Sequence, residues 1–136
     1  MDLGLQGKIA LVAAASQGLG RAVAEELAQE GASLILCARN EHRLNIACDE
    51  IRERTGAHVI PVAGDLGIYA DVERIVNEGL ARFGQIDILV TNTGGPPAGT
   101  FENLSRESWD TAVSSLLTSV LDLTRLVLPG MKERRW

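Results

Sequence analysis

The chain has 136 residues, of which 46% are hydrophobic, and a formal net charge of −5; this suits one domain with a real core and leaves little room for a second. Acidic and basic residues are interspersed, so no basic stripe exists to neutralise a phosphodiester backbone, and nucleic acid is not an expected partner. The N-terminal "MDLGLQGK" has no basic region followed by a long apolar run, and no later segment reads as uncharged and apolar for long enough to span a bilayer, so a cytoplasmic protein without a membrane partner is expected.

The first expected strand is "KIALVAA" from Lys8. A helix follows from Gly18 to Glu30, with Leu19, Val23 and Leu27 on its apolar stripe and Gly31 as its stop. The second strand is "SLILCA" from Ser33, and the second helix runs from about Glu41 to Thr55, with Leu44, Ala47, Cys48 and Ile51 facing inward. "HVIPVAG" from His58 supplies a third strand, and a helix from about Ala70 to Phe83 turns Val72, Ile75, Val76 and Leu80 inward before Gly84. "IDILVTN" from Ile86 is the fourth strand.

These strands are continuously apolar rather than alternating, which predicts burial on both faces and a parallel sheet with right-handed helical crossovers. Cys37 and Cys48 fall on a strand and on an inner helix face, as buried free thiols would. A fourth helix starts near Ser105, a good N-cap with Glu107 in the first turn, and runs through "WDTAVSSLLTSVLDLTRLVLPGMKERR". Its leucines and valines cover more than one face, so part should meet the sheet and the rest needs another partner. Pro129 and Gly130 mark an expected bend or frayed end.

The chemistry concentrates where the first strand meets the first helix. Gly18 and Gly20 fit the spacing G-x-x-x-G-x-G with Ala14 at the first glycine position. A glycine turn at a helix N-terminus brings unpaired N–H groups against an anion such as a pyrophosphate. His42 and His58 lack metal-ligand spacing to any Cys or carboxylate cluster, so no metal is expected.

From Lys8 to Trp136 the chain resembles the N-terminal half of the short-chain dehydrogenases/reductases, on "AASQGLGRA", "CARN", "GDL", "TNTGG" and "SWDTAVSSLL", each after the expected element. The resemblance implies a Rossmann-type, doubly wound α/β sheet in strand order 3-2-1-4, incomplete on the side after the fourth strand. Residues 1–136 would form one dinucleotide-binding half-domain, ending before the catalytic segment. Ala14, Ser16, Gln17, Gly18, Leu19 and Gly20 would form the phosphate turn, with Ala14 standing where the family usually has glycine. Arg39 would meet the adenosine ribose, and a guanidinium there favours the 2′-phosphate of NADP(H) over NAD. Asp65 and Leu66 would receive the adenine, and Asn92 and Gly94 would sit near its ribose.

The resemblance implies no catalytic residue within the chain. Where the family commonly places a catalytic asparagine, counting from Trp109 and Asp110 reaches Leu116, and with "NTGGPP" this resembles a divergent branch of 3-oxoacyl-acyl-carrier-protein reductases. Tyr69 is the only tyrosine, and Glu73 stands four residues on where the family's lysine would be. The implied activity of a complete protein is hydride transfer between NADPH and a carbonyl, with 3-oxoacyl thioesters as first substrate. The alternative is a non-catalytic nucleotide-binding or assembly module. In either case the long helix would pair with a second copy, a surface the family uses for subunit packing, or the chain would dock a complementing C-terminal half.

Overall fold

A computed structural model describes residues 1–136. Its centre is a four-stranded parallel sheet in the order β3-β2-β1-β4, the expected topology, formed by Ile9–Val12 (β1), Ser33–Ala38 (β2), Val59–Ala63 (β3) and Ile88–Val90 (β4). Register is fixed by the pairs Ala10 with Leu34, Leu36 with Pro61 and Ala10 with Ile88. Pro61 is tolerated because β3 is an edge strand that pairs with β2 alone.

Successive residues of a strand point to opposite faces, and each face has its own core. Ile9, Leu11, Ile35 and Cys37 pack with Val72, Ile75, Val76, Leu123 and Val127 on one side. Ala10, Val12, Leu34 and Leu36 pack with Ala24, Ala28, Leu44, Cys48 and Ile51 on the other. The continuously apolar strand sequences are therefore the signature of a three-layer α/β/α sandwich.

The helices are Gly18–Gln29 (α1), Glu41–Thr55 (α2) and Tyr69–Phe83 (α3). Helix α2 buries the expected Leu44, Ala47, Cys48 and Ile51. Helix α1 does not bury the expected stripe: Leu19 is 80% exposed and Val23 38%, while Gly20, Ala24 and Ala28 face the sheet. It lies so close to the sheet that only small residues fit beneath it. The same effect corrects α3, where Leu80 is 37% exposed and Gly79 is buried instead. A Cβ on Gly79 would stand 2.5 Å from Cδ1 of Ile35.

After a 3-10 turn at Phe101–Asn103, one continuous helix comprises Arg106–Val113 (α4), a π-helical turn at Ser114–Thr118 and Ser119–Arg134 (α5). Ser105 caps it as expected, accepting from the Ser108 N–H at 3.1 Å. The interruption lies at the π turn, not at Pro129 and Gly130, through which the helix runs on to Arg134. Serine hydroxyls bond to the backbone within and just after the π turn: Ser115 Oγ donates to Thr111 O at 3.0 Å, and buried Ser119 Oγ to Ser115 O at 2.6 Å.

The continuity of this helix corrects the expectation that no segment could span a bilayer. Arg106–Arg134 holds an 18-residue window of mean hydropathy 1.4, enough by length and composition alone. Asp122 and Arg125 are the charged residues inside its apolar stretch from Thr111 to Met131, and the other charges of the helix lie at its two ends. In the fold, Leu123 and Val127 are buried in the sheet core, while Leu117, Leu121 and Leu128 are exposed.

Candidate functional site

A cleft of about 940 Å³ opens at the carboxyl ends of the strands. The chain steps from β1 through β2 to β3 in one direction and then returns to place β4 on the other side of β1. Such a reversal leaves a crevice, because the flanking helices cross on opposite faces of the sheet. Ala14, Ser16, Gln17, Gly18, Leu19, Arg39, Asp65, Leu66, Asn92 and Gly94 all line it, gathered from four separate loops. Gly20 does not line the cleft and is buried behind the turn.

The turn before α1 is shaped by close approach. Ala14 has φ 50° and Gly18 φ 60°, both in the left-handed region. For Gly18 this is unstrained, whereas an alanine there carries a cost of about 1 to 2 kcal/mol. A Cβ on Gly20 would lie 2.4 Å from Ala14 O and 2.8 Å from Asn92 Nδ2, so only glycine lets the helix start this near the strand. Asn92 Nδ2 donates to Ala14 O at 3.4 Å, which ties the loop after β4 to the turn. Gln17, the N-cap of α1, makes no side-chain cap. The first-turn N–H groups are therefore left for a ligand or water.

On the β2 side stand Arg39, Asn40 and Arg43. Asn40 caps α2, its side chain accepting from Arg43 N at 2.9 Å, and this turns the chain so that Arg43 joins Arg39 at the cleft. Neither arginine forms an ion pair, although Arg21, Arg52, Arg54, Arg74, Arg106 and Arg134 all do. Two exposed, unpaired guanidinium groups at one wall make it an anion-accepting corner. On the β3 side, Asp65 Oδ1 accepts from Gly67 N at 2.8 Å, and Leu66 lies beside it.

Thr93 to Pro97 and, from the long helix, Glu107, Asp110, Thr111, Ser114 and Ser115 complete the lining, and a Cβ on Gly94 would stand 3.9 Å from Arg39 Nη2. Leu116 is 40% exposed and is not part of the lining. Tyr69, 53% exposed at the start of α3, also lies outside it. The cysteines are far from reactive, since burial pushes the Cys37 thiol up to about 12 and that of Cys48 up to about 11.

Residues 8–136 match the family model described as short chain dehydrogenase. The chain belongs to the short-chain dehydrogenase/reductase family. It is 34% identical over 133 residues to a 3-oxoacyl-acyl-carrier-protein reductase of Vibrio cholerae, covering 98% of this chain and 53% of that protein. Among solved structures, L-sorbose reductase from Gluconobacter frateurii, complexed with NADPH and L-sorbose, superposes with TM-score 0.94 at 36% identity, over 98% of this chain and 51% of that one. A short-chain dehydrogenase/reductase from Burkholderia phymatum in complex with NAD gives TM-score 0.91 at 30% identity, over 97% of this chain and 47% of that one. The chain thus spans about half the length of the family members it matches.

The residues present fit a dinucleotide of the kind held in the two solved complexes. The uncapped N-terminus of α1 suits a pyrophosphate, Arg39 and Arg43 suit a further phosphate, and Asp65 keeps Oδ2 free of any protein hydrogen bond. Sequence reasoning missed Arg43. Its four-residue spacing from Arg39 across a capped helix start was the available signal, but only the direction of α2 brings the two together.

Proposed function

We propose that this chain is the NADP-binding part of a short-chain oxidoreductase, and that Ala14, Ser16, Gln17, Gly18, Leu19, Gly20, Arg39, Asp65, Leu66, Asn92 and Gly94 form its cofactor site. The observation that carries the NADP preference is the unpaired Arg39 and Arg43 lining the cleft, with arginine rather than a carboxylate at position 39, where the family resemblance puts the ribose contact. A bound nicotinamide would supply the hydride for reduction of a carbonyl. This chain's residues bind and orient the cofactor: the α1 N-terminus neutralises its pyrophosphate, and Asp65 with Leu66 receives the base. Similarity to the Vibrio reductase supports 3-oxoacyl thioesters as the first substrate class to try.

Calorimetric titration with 2′,5′-ADP and 5′-AMP tests the reading. A charge-assisted contact is typically worth roughly 1.5 to 3 kcal/mol, so 2′,5′-ADP should bind about tenfold or more tightly, and Arg39→Asp should abolish the difference. Equal affinities in the native chain would refute it.

A second reading is a non-catalytic nucleotide-binding or assembly module, favoured by Leu116 and by Glu73 four residues after the only tyrosine. Residues 1–136 on their own should reduce no ketone above the uncatalysed rate, because general acid–base groups typically supply about 10² to 10⁴ in rate. A serine, tyrosine and lysine encoded beyond Trp136 would favour the oxidoreductase, and their absence from the gene would favour the module. We further propose a cytoplasmic protein that pairs through the helix starting near Ser105 or with a complementing C-terminal half. Burial of Leu123 and Val127 against the sheet supports a helix that packs on protein rather than crossing a membrane.

A further inference from the structure

The loop from β3 to α3 is held by a clamp that lies outside the cleft. Asp71 Oδ2 accepts from the main-chain N–H of Asp65 at 2.8 Å, and its Oδ1 receives Arg74 Nη2 at 3.1 Å. The same Nη2 donates to Ala63 O at 2.7 Å. Asp71 and Arg74 together thus grip the backbone on both sides of Gly64. A Cβ on Gly64 would stand 3.1 Å from Arg74 Nη2 and 3.3 Å from Asp71 Cβ, so the clamp closes on bare backbone. Asp65 itself folds into an Asx turn: Oδ1 accepts from Gly67 N at 2.8 Å, and its main-chain oxygen accepts from Ile68 N at 3.0 Å. Every hydrogen-bonding group of Asp65 except Oδ2 is therefore committed within the loop, and Asp65 lines the cleft. The Asp65 N–H and then Arg74 hold the Asp71 carboxyl below its usual range, so it stays an ionised acceptor near neutral pH.

We propose that Asp71 is a positioning residue for base selectivity: by holding the Asp65 N–H it fixes the one free carboxylate oxygen of Asp65 to accept from the exocyclic amino group of a 6-aminopurine. This rests on reading the cleft as a nucleotide site. A 6-oxopurine places an acceptor where the amino donor was, so the same oxygen repels it. A carboxylate on a loosened loop would turn to water and lose that discrimination, because one hydrogen bond selects only when its geometry is held.

The test is calorimetric titration of the 136-residue chain with 5′-AMP, 5′-IMP and 2′,5′-ADP. The native chain should prefer 5′-AMP over 5′-IMP by about tenfold, the size of one well-made hydrogen bond. Asp71→Ala should reduce that preference to within about twofold, and Asp71→Asn, which keeps an oxygen for the Asp65 N–H, should restore most of it. The preference for 2′,5′-ADP over 5′-AMP, set by Arg39 and Arg43 after the neighbouring strand β2, should stay unchanged in both. Arg74→Ala, at an exposed position, is the variant to read if Asp71→Ala does not fold, and it should lower the same ratio by a smaller factor. An unchanged AMP-to-IMP ratio in any folded variant lacking the clamp, or a parallel fall in both preferences, overturns the proposal. A native chain that binds 2′,5′-ADP without distinguishing AMP from IMP overturns this inference alone, whereas one that binds none of the three overturns the nucleotide reading with it.

Discussion

The side-chain amide of Asn92 reaches across 3.4 Å to the main-chain oxygen of Ala14, a residue held at φ 50° in the turn before α1. The Ala14 conformation is thus fastened from the neighbouring strand end, although an L-residue resists it. Ala14→Gly should relieve about 1 to 2 kcal/mol of left-handed strain against roughly 0.5 to 1 kcal/mol of added chain entropy in the unfolded state. We expect a net gain of about 0.5 to 1 kcal/mol by urea unfolding. Gly20→Ala should do the reverse: its Cβ would meet Ala14 O at 2.4 Å, and such overpacking typically costs about 1 to 3 kcal/mol. It should also weaken 2′,5′-ADP binding, whereas an unchanged affinity would mean that the turn can open without loss.

At the opposite end of the sheet, Asp87 should prove a stability hinge point. Its side chain, 2% exposed, accepts from Ile9 N at 2.9 Å, from Gln85 Nε2 at 2.9 Å and from Arg134 Nε at 3.2 Å. Arg134 also donates to Ile86 O at 2.6 Å, pinning the end of α5 beneath β4. Arg134→Met leaves a buried carboxylate with two neutral donors, and because Arg134 is itself 30% exposed we expect a loss of about 2 kcal/mol rather than the roughly 3 to 5 kcal/mol of a fully buried pair. Denaturant unfolding measures it; a change below about 0.5 kcal/mol would show that water replaces the guanidinium.

The two cysteines predict how stability changes in alkali. An unfolded thiol titrates near pH 8.5, at about its ordinary value. In the folded chain burial pushes Cys37 up to about 12 and Cys48 up to about 11. The folded state therefore keeps protons that the unfolded state releases. This contribution is complete below about pH 8 and declines as pH rises toward the folded values. The urea midpoint should fall between about pH 8 and 10.5, and Cys37→Ala should flatten that fall. Thiol labelling at pH 8 should be slow and limited by unfolding; rapid labelling of either thiol would contradict its burial.

Leu117 is 55% exposed and Leu121 53% on the long helix, and β4 pairs with β1 alone, so its other edge carries no strand. Fully burying one such leucine is worth roughly 1.5 to 3 kcal/mol, and an unprotected strand edge recruits partners. The 136-residue chain should therefore self-associate as its concentration rises, and Leu117→Lys with Leu121→Lys should weaken that association. Sedimentation across a dilution series checks it; a native chain that stays monomeric with a concentration-independent melt would exclude this surface as an interface.

The sequence by itself determined the four strands and their parallel pairing, and its resemblance to the family implied their order and the loop residues that line the cleft. Continuous apolar runs such as "SLILCA" can only be buried on both faces, and the glycine turn, Arg39 and Asp65 each lie in the loop after a strand, so the parallel topology brings them to one end of the sheet. The α2 face was legible because Leu44, Cys48 and Ile51 meet the sheet at ordinary packing distance. Only the tertiary structure decided which face of α1 turns inward, because there the spacing between helix and sheet is set by Gly20, Ala24 and Ala28, and hydrophobic periodicity ranks large residues over small ones. Gly79 beneath α3 is the same case. The π turn, the nearness of Arg43 to Arg39 and the grip of Asp71 on Asp65 were equally out of reach. Each depends on the direction in which a helix leaves its loop, and that direction is set by contacts between elements distant in sequence rather than by any residue's own preference.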